Sequence, residues 1–69
     1  MFDERRFNAQ LVLKGMTKLE LAEKLGMKES TLYRKIKRGG DFSRAEIEKM
    51  NEILDFDNPM DVFFAKELV

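Results

Sequence analysis

Apolar residues recur at helical spacing in five segments of this 69-residue chain, and glycine or proline residues stand between the segments. In the first segment, which we place over 3–14, Phe7 and Leu11 lie four residues apart and would share the inner face of a helix. No stretch alternates with period two for long enough to predict a strand. The pattern therefore predicts one all-α domain over 1–69, a compact bundle of about five short helices.

Two helix starts are marked by capping boxes. Thr17 is followed three residues later by Glu20, and Ser43 is followed in the same way by Glu46. In such a box the hydroxyl accepts a hydrogen bond from the third helical amide, and the carboxylate accepts one from the cap amide. Each start also has the apolar pair of a hydrophobic staple, Met16 with Leu21 and Phe42 with Ile47. We therefore expect helices to begin directly after both cap residues.

The segment 17–38 has the pattern of two short helices joined by a tight turn. Gly26 follows the first of them, at a position that needs a left-handed conformation. Gly39 and Gly40 are expected to end the second helix and form the next turn. The positions expected to face inward carry apolar or small side chains: Leu21, Ala22, Leu25, Leu32 and Ile36.

The stretch MTKLELAEKLGMKESTLYRKIKRG, residues 16–39, resembles the helix-turn-helix of the phage Cro and repressor (Xre-like) family. The resemblance implies a lambda-repressor-like fold, in which the first motif helix braces against the DNA backbone and the second enters the major groove. One position departs from the family pattern, because Lys35 stands where the next core residue after Leu32 is usual, and Ile36 is apolar instead. We expect this change to rotate the buried face of the second helix by roughly 50°.

The same resemblance implies which side chains meet duplex DNA. Arginine can donate two hydrogen bonds to guanine, glutamate can accept one from cytosine, and helix N-termini favour phosphate. The expected base contacts, at the leading end and outer face of the second helix, are Lys28, Glu29, Ser30, Tyr33 and Arg34. The expected phosphate contacts are Thr17, Lys18, Thr31, Lys35, Lys37 and Arg38.

Three of these residues have a second interpretation. Glu29 would also serve as a surface acid that favours the helix start through the helix dipole. Tyr33 would equally cover part of the core. Lys35 is expected to face solvent if it does not contact phosphate, because burying its ammonium group would cost several kcal/mol.

Charge is divided along the chain although 13 basic and 13 acidic residues cancel overall. Residues 14–44 hold nine basic and four acidic residues, a balance of +5, whereas residues 45–69 hold two basic and seven acidic residues, a balance of −5. The middle of the chain would attract phosphate and the C-terminal part would be repelled by it. The positively charged part of the chain therefore contains the segment that resembles a helix-turn-helix.

Cysteine and histidine are both absent, so a disulfide, a thiolate nucleophile and an imidazole base or ligand are excluded. The acid-rich stretch EILDFDNPMD lacks the regularly spaced oxygen ligands of a calcium loop. We expect no enzymatic activity, metal, cofactor or small-molecule ligand. No apolar run is long enough for a signal or a membrane span, so we expect a cytoplasmic protein without a membrane partner.

Asn58 and Pro59 predict the start of a last helix over 59–68, since proline suits the first helical position. This helix carries more apolar residues than one side could bury in a monomer. We expect a homodimer interface formed by Phe63, Phe64 and Leu68. The alternative is that the rings of Phe63 and Phe64 both pack into the core of the monomer. The two recognition helices of such a dimer would lie roughly 34 Å apart and contact a near-palindromic operator.

Together these features predict sequence-specific binding of double-stranded DNA by a transcriptional regulator, a repressor of the phage or prophage type. The alternative is an antitoxin-like or antirepressor-like module that uses the same fold to bind a protein.

Overall fold

The computed structural model describes residues 1–65 and contains five α-helices in that part of the chain. Their bounds are α1, Glu4–Leu13; α2, Lys18–Leu25; α3, Glu29–Lys37; α4, Arg44–Leu54; and α5, Pro59–Phe63. No strand occurs between residues 1 and 65. The predicted all-α class and the number of helices are confirmed.

Both predicted capping boxes are present. The Thr17 hydroxyl accepts from the Glu20 amide at 3.1 Å, and the Glu20 carboxylate accepts from the Thr17 amide at 3.1 Å. At the start of α4, the Ser43 hydroxyl accepts from the Glu46 amide at 3.1 Å, and the Glu46 carboxylate accepts from the Ser43 amide at 2.8 Å. These bonds occupy helix-end amides that have no partner within the helix, which explains why both helices begin where they do.

The core gathers apolar side chains from all five helices. Phe7 and Leu11 of α1 are buried, as are Leu32 and Ile36 of α3, so the predicted inner faces of both helices are confirmed. The other buried residues are Phe2, Leu21, Ala22, Met50, Leu54, Phe56, Val62 and Phe63. α2 packs against both α3 and α4, while α5 packs against α1. The buried faces of α2 and α3, the two motif helices, therefore pack against the rest of the domain.

A cluster of phenylalanine rings joins the two ends of the described chain. Phe2 packs against Phe7, Phe42 and Phe63 with ring centroids 5.4 to 5.9 Å apart, and Phe56 packs edge-on against Phe63 at 5.5 Å. Aromatic pairs in tilted or edge-on arrangements contribute about 0.5–1.5 kcal/mol beyond the area they bury. The N-terminal segment is therefore part of the core.

The last helix is shorter than expected. α5 ends at Phe63, and Phe64 leaves the helical conformation with φ −133° and ψ 40°. The N-terminal segment takes the carbonyls that a longer helix would use, because the Asp3 amide donates to the Val62 carbonyl at 2.7 Å and the Met1 amino group donates to the Ala65 carbonyl at 2.9 Å. The expectation of a helix over 59–68 is thus wrong at residues 64–65, and residues 66–69 lie outside the described part of the chain.

This arrangement also corrects the expected position of Phe63. Its side chain is only 5% exposed and packs within the phenylalanine cluster, whereas the neighbouring Phe64 is 55% exposed. Phe63 is therefore a core residue of the single chain and is not on the surface where an interface was expected. Leu68, the third residue of that expected interface, lies outside the described residues.

None of the helices found between residues 1 and 65 combines the length and the apolar character needed to cross a membrane.

Candidate nucleic-acid interface

The turn between α2 and α3 is built on Gly26. This residue has φ 73° and ψ 28°, in the left-handed region, and its amide donates to the Glu23 carbonyl at 3.1 Å. The Met27 amide then donates to the Ala22 carbonyl at 3.0 Å. These two bonds close the C-terminus of α2 and redirect the chain into α3 within a few residues. The predicted role of Gly26 is confirmed.

α3 has one buried face and one exposed face. Leu32 and Ile36 point into the core, and Ile36 is buried at the position that the shifted apolar pattern predicted. The residues on the other side are exposed: Ser30, Tyr33, Arg34, Lys37 and Arg38. Within residues 1–65, Arg34, Lys37 and Arg38 take part in no ion pair. Three cationic side chains are thus presented to solvent on one side of a supported helix.

The leading end of α3 begins at Lys28, which is the N-cap residue with φ −73° and ψ 149°. Its side chain is exposed and forms no capping hydrogen bond. Of the neighbouring residues, Ser30 is exposed, whereas Glu29 and Thr31 are half-buried. Lys28 and Ser30 are therefore the more accessible members of the expected contact set at this end of the helix.

The start of α2 is already engaged in internal hydrogen bonds. The Thr17 hydroxyl lies 3.1 Å from the Glu20 carboxylate as well as from the Glu20 amide. The backbone hydrogen bond from Thr17, followed by that from its side chain, lowers the pKa of Glu20 below its ordinary value. A negative charge is therefore held beside Thr17, one of the expected phosphate contacts, and would oppose phosphate there.

Lys18 and Tyr33 connect the first turn of α2 to the middle of α3. The Lys18 ammonium lies 5.5 Å from the centroid of the Tyr33 ring, within the range of a cation–π interaction. Tyr33 remains exposed, so it does not belong to the buried core. The contact brings one expected phosphate contact and one expected base contact together on the same surface of the two helices.

Lys35 points toward α4 instead of lying with the other cations of α3. Its ammonium lies 3.6 Å from the Glu46 carboxylate and donates to the Asp41 carbonyl at 3.3 Å. The backbone hydrogen bond from Ser43 and the positive charge of Lys35 both lower the pKa of Glu46, against an opposing effect of burial. The Lys35 side chain is 26% exposed, so it faces solvent only in part, because its ammonium group contacts α4 and the turn before it.

The contacts of Lys18 with Tyr33 and of Lys35 with Glu46 were not expected from the sequence. Each joins residues on different helices, and the capping pattern around Glu46 gave no sign that the same carboxylate also meets Lys35. The only available signal was the shift of the apolar position from Lys35 to Ile36. This shift moves Lys35 out of the buried face of α3 and onto the flank of that helix.

Comparison with known proteins finds no matching family, no matching curated relative and no matching solved structure.

Proposed function

We propose that this protein binds double-stranded DNA in a sequence-specific manner through α2 and α3 and regulates transcription, as a repressor of the phage or prophage type in the cytoplasm. The observation that carries the proposal is the outer face of α3. Arg34, Lys37 and Arg38 are exposed there, opposite the buried Leu32 and Ile36. A rigid helix with a cationic outer face and a second helix packed behind it is suited to enter the major groove.

The exposed residues differ in chemistry, so we assign some of them to base contacts and others to phosphate contacts. Arg34 can form two parallel hydrogen bonds to O6 and N7 of guanine, and the Ser30 hydroxyl can donate or accept at a base edge. Lys37 and Arg38 follow toward the C-terminus of α3, where they would neutralise backbone phosphates. Lys28 stands at the opposite, leading end of the helix. The proposed base contacts thus centre on Ser30 and Arg34.

The charge distribution supports one orientation of the domain on DNA. The balance of +5 over residues 14–44 includes α2 and α3, and the balance of −5 over residues 45–69 includes most of α4 and all of α5. Phosphate would attract the first region and repel the second. The domain would therefore approach the duplex with the motif forward and its acidic C-terminal part directed away.

We also propose that the protein acts as a homodimer through the exposed surface near α5. Phe64 and Met60 are large and exposed, and they belong to the acidic part of the chain, residues 45–69. In the proposed dimer the two α3 helices would lie roughly 34 Å apart and enter successive major grooves. The operator would then consist of two related half-sites. Sedimentation of the free protein as a monomer at micromolar concentration would count against this association.

The proposal is tested by selecting sequences from a random duplex library with the purified protein at low and at moderate salt. A near-palindromic enriched sequence, bound with an affinity that falls steeply with salt, is the expected result, because the release of counterions from DNA favours binding less as the salt concentration rises. Arg34→Ala is the informative variant and Arg5→Ala is its control, since Arg5 is an exposed cation on α1 outside the motif. Weak, salt-dependent retention without any enriched sequence would refute specific binding.

One observation favours the alternative that the domain binds another protein, as an antitoxin or antirepressor would. Val12 and Leu13, adjacent at the end of α1, are 79% and 74% exposed. Neighbouring exposed aliphatic residues are a feature of protein interaction surfaces. An apolar contact of this kind would persist as salt rises, whereas DNA binding would weaken. Salt dependence of binding thus separates the two functions.

A further inference from the structure

The end of α3 and the start of α4 meet at Lys35. The Lys35 carbonyl accepts hydrogen bonds from the Gly40 and Asp41 amides, both at 3.1 Å, so it closes the turn that follows α3. Its ammonium group reaches the same region from the side, at 3.3 Å from the Asp41 carbonyl and 3.6 Å from the Glu46 carboxylate. One residue therefore holds the turn through its main chain and α4 through its side chain.

The ion pair differs from an ordinary surface pair in its burial. The side chains of Lys35 and Glu46 are only 26% and 25% exposed, whereas the Arg44–Glu48 pair on the same helix is 93% and 66% exposed. Glu46 is fixed independently, because its carboxylate also accepts from the Ser43 amide. Lys35 is therefore attached to a partner that is already immobilised by the start of α4.

We propose that Lys35 is a positioning residue, which sets the orientation of α3 relative to α4 through Glu46 and Asp41, and is not a phosphate contact. The inference rests on the proposed function, since the purpose of the orientation is to present Ser30 and Arg34 to DNA. The inference gives Lys35 a different role from Lys37, which is exposed and remains a proposed phosphate contact.

A positioning role for Lys35 and a purely electrostatic effect predict opposite changes in DNA affinity for Glu46→Gln. The substitution removes an acid and releases a lysine near the proposed DNA-binding face, so electrostatic attraction alone would strengthen binding. If Glu46 holds α3 through Lys35, the same substitution weakens binding because α3 must be ordered when the complex forms. Glutamine at this position can still complete the capping box with Ser43. The start of α4 is therefore retained in the variant.

The experiment measures affinity for the selected operator duplex across a salt series for the wild type, Glu46→Gln, Lys35→Met and the double variant. Glu48→Gln is the matched control, because it also removes an acid from α4. The partner of Glu48 is Arg44, which lies on α4 as well. Lys37→Met is the reference for a phosphate contact. All measurements are made where circular dichroism shows every variant to be folded.

We expect Glu46→Gln and Lys35→Met each to weaken binding about two- to fivefold, the range that a modest ion pair can contribute. The double variant should be no weaker than either single variant, and Lys35→Met should keep the wild-type salt slope. Lys37→Met should reduce that slope by about one. Binding by Glu46→Gln that is as tight as or tighter than wild type, together with a slope reduced by about one in Lys35→Met, would overturn the inference.

A wild-type protein that binds no duplex would refute the proposed function, and the structural claim would then be decided by unfolding. In that case the effects of Lys35→Met and Glu46→Gln on urea unfolding are compared with the effect of the double variant. Non-additive effects would support the attachment of α3 to α4 through this pair. Additive effects would overturn it.

Discussion

Gly39 and Gly40 provide a matched pair for measuring how closely the N-terminal segment packs against the turn after α3. Both residues have left-handed backbones, with φ +83° and +80°. A Cβ atom added at Gly39 would meet nothing within 4 Å, whereas one added at Gly40 would lie 2.5 Å from both Cβ and Cγ of Phe2. Alanine at either position suffers backbone strain from a positive φ, and only alanine at Gly40 also collides with a core residue.

The expected costs follow from these two contributions. A left-handed conformation costs an L-residue such as alanine about 1–2 kcal/mol, which applies to both variants. Phe2 is buried among other aromatic rings and cannot move aside freely, and forced shifts in a packed core cost about 1–3 kcal/mol. We therefore expect Gly39→Ala to lower the free energy of unfolding by about 1–2 kcal/mol and Gly40→Ala by about 2–5 kcal/mol.

Urea unfolding followed by far-ultraviolet circular dichroism measures both variants against the wild type. Gly26→Ala serves as a second reference for strain alone, because Gly26 has φ +73° and its added Cβ would also meet nothing within 4 Å. Small domains of this length rarely exceed about 3–5 kcal/mol of stability, so Gly40→Ala should be largely unfolded at modest urea concentrations. If all three variants lost the same free energy, the close packing of Phe2 against the turn would be refuted.

The remaining predictions concern DNA contacts and pH. Arg34→Ala should cost about 1–3 kcal/mol of binding and relax the base preference at one position of each half-site, as judged by repeating the library selection; equal weakening on all sequences would make Arg34 a phosphate contact. Lys37→Ala should weaken all sequences similarly and reduce the salt slope by about one in a titration series, whereas a changed base preference would contradict its assignment. The hydrogen bonds from Thr17 and Ser43 lower the pKa of Glu20 and Glu46 below the ordinary glutamate value in the folded protein, so the stability they provide is present above the ordinary pKa and is lost as pH falls through the lowered pKa values. Urea unfolding at several pH values below the ordinary glutamate pKa of about 4.3 should show a smaller loss of stability for Glu46→Gln than for the wild type, and an equal loss would contradict the stabilisation of that carboxylate.

The helix starts could be predicted from sequence because their determinants are local. The bonds of Thr17 with Glu20, and of Ser43 with Glu46, join residues three positions apart, so the pattern of residue types already contains the geometry. The turn at Gly26 is predictable for the same reason, since its left-handed backbone is a property of one residue. The buried face of α3 also follows from spacing within a single helix.

The end of α5 and the surroundings of Lys35 could not be predicted, because distant segments determine them. α5 ends where the Asp3 amide takes the Val62 carbonyl, a contact across most of the chain. Phe63 is buried by Phe2 and Phe42, which come from separate segments. Lys35 meets Glu46 only after the chain has turned between α3 and α4. Spacing within one helix carries no information about such partners.

The hydrogen bond from the Met1 amino group to the Ala65 carbonyl spans 64 positions and has a consequence for the order in which the domain assembles. Bringing together two ends this far apart costs about 1.6 kcal/mol more chain entropy than closing a loop of about ten residues. Contacts within α2 and α3, including the Ala22–Met27 bond, are local and can form early. Segments 1–3 and 62–65 would therefore dock last during folding and release first during local opening. Such an opening would uncover Phe2 and Phe63 while the two motif helices remain folded, so exchange of the Asp3 amide reports on the ends separately from the DNA-binding surface.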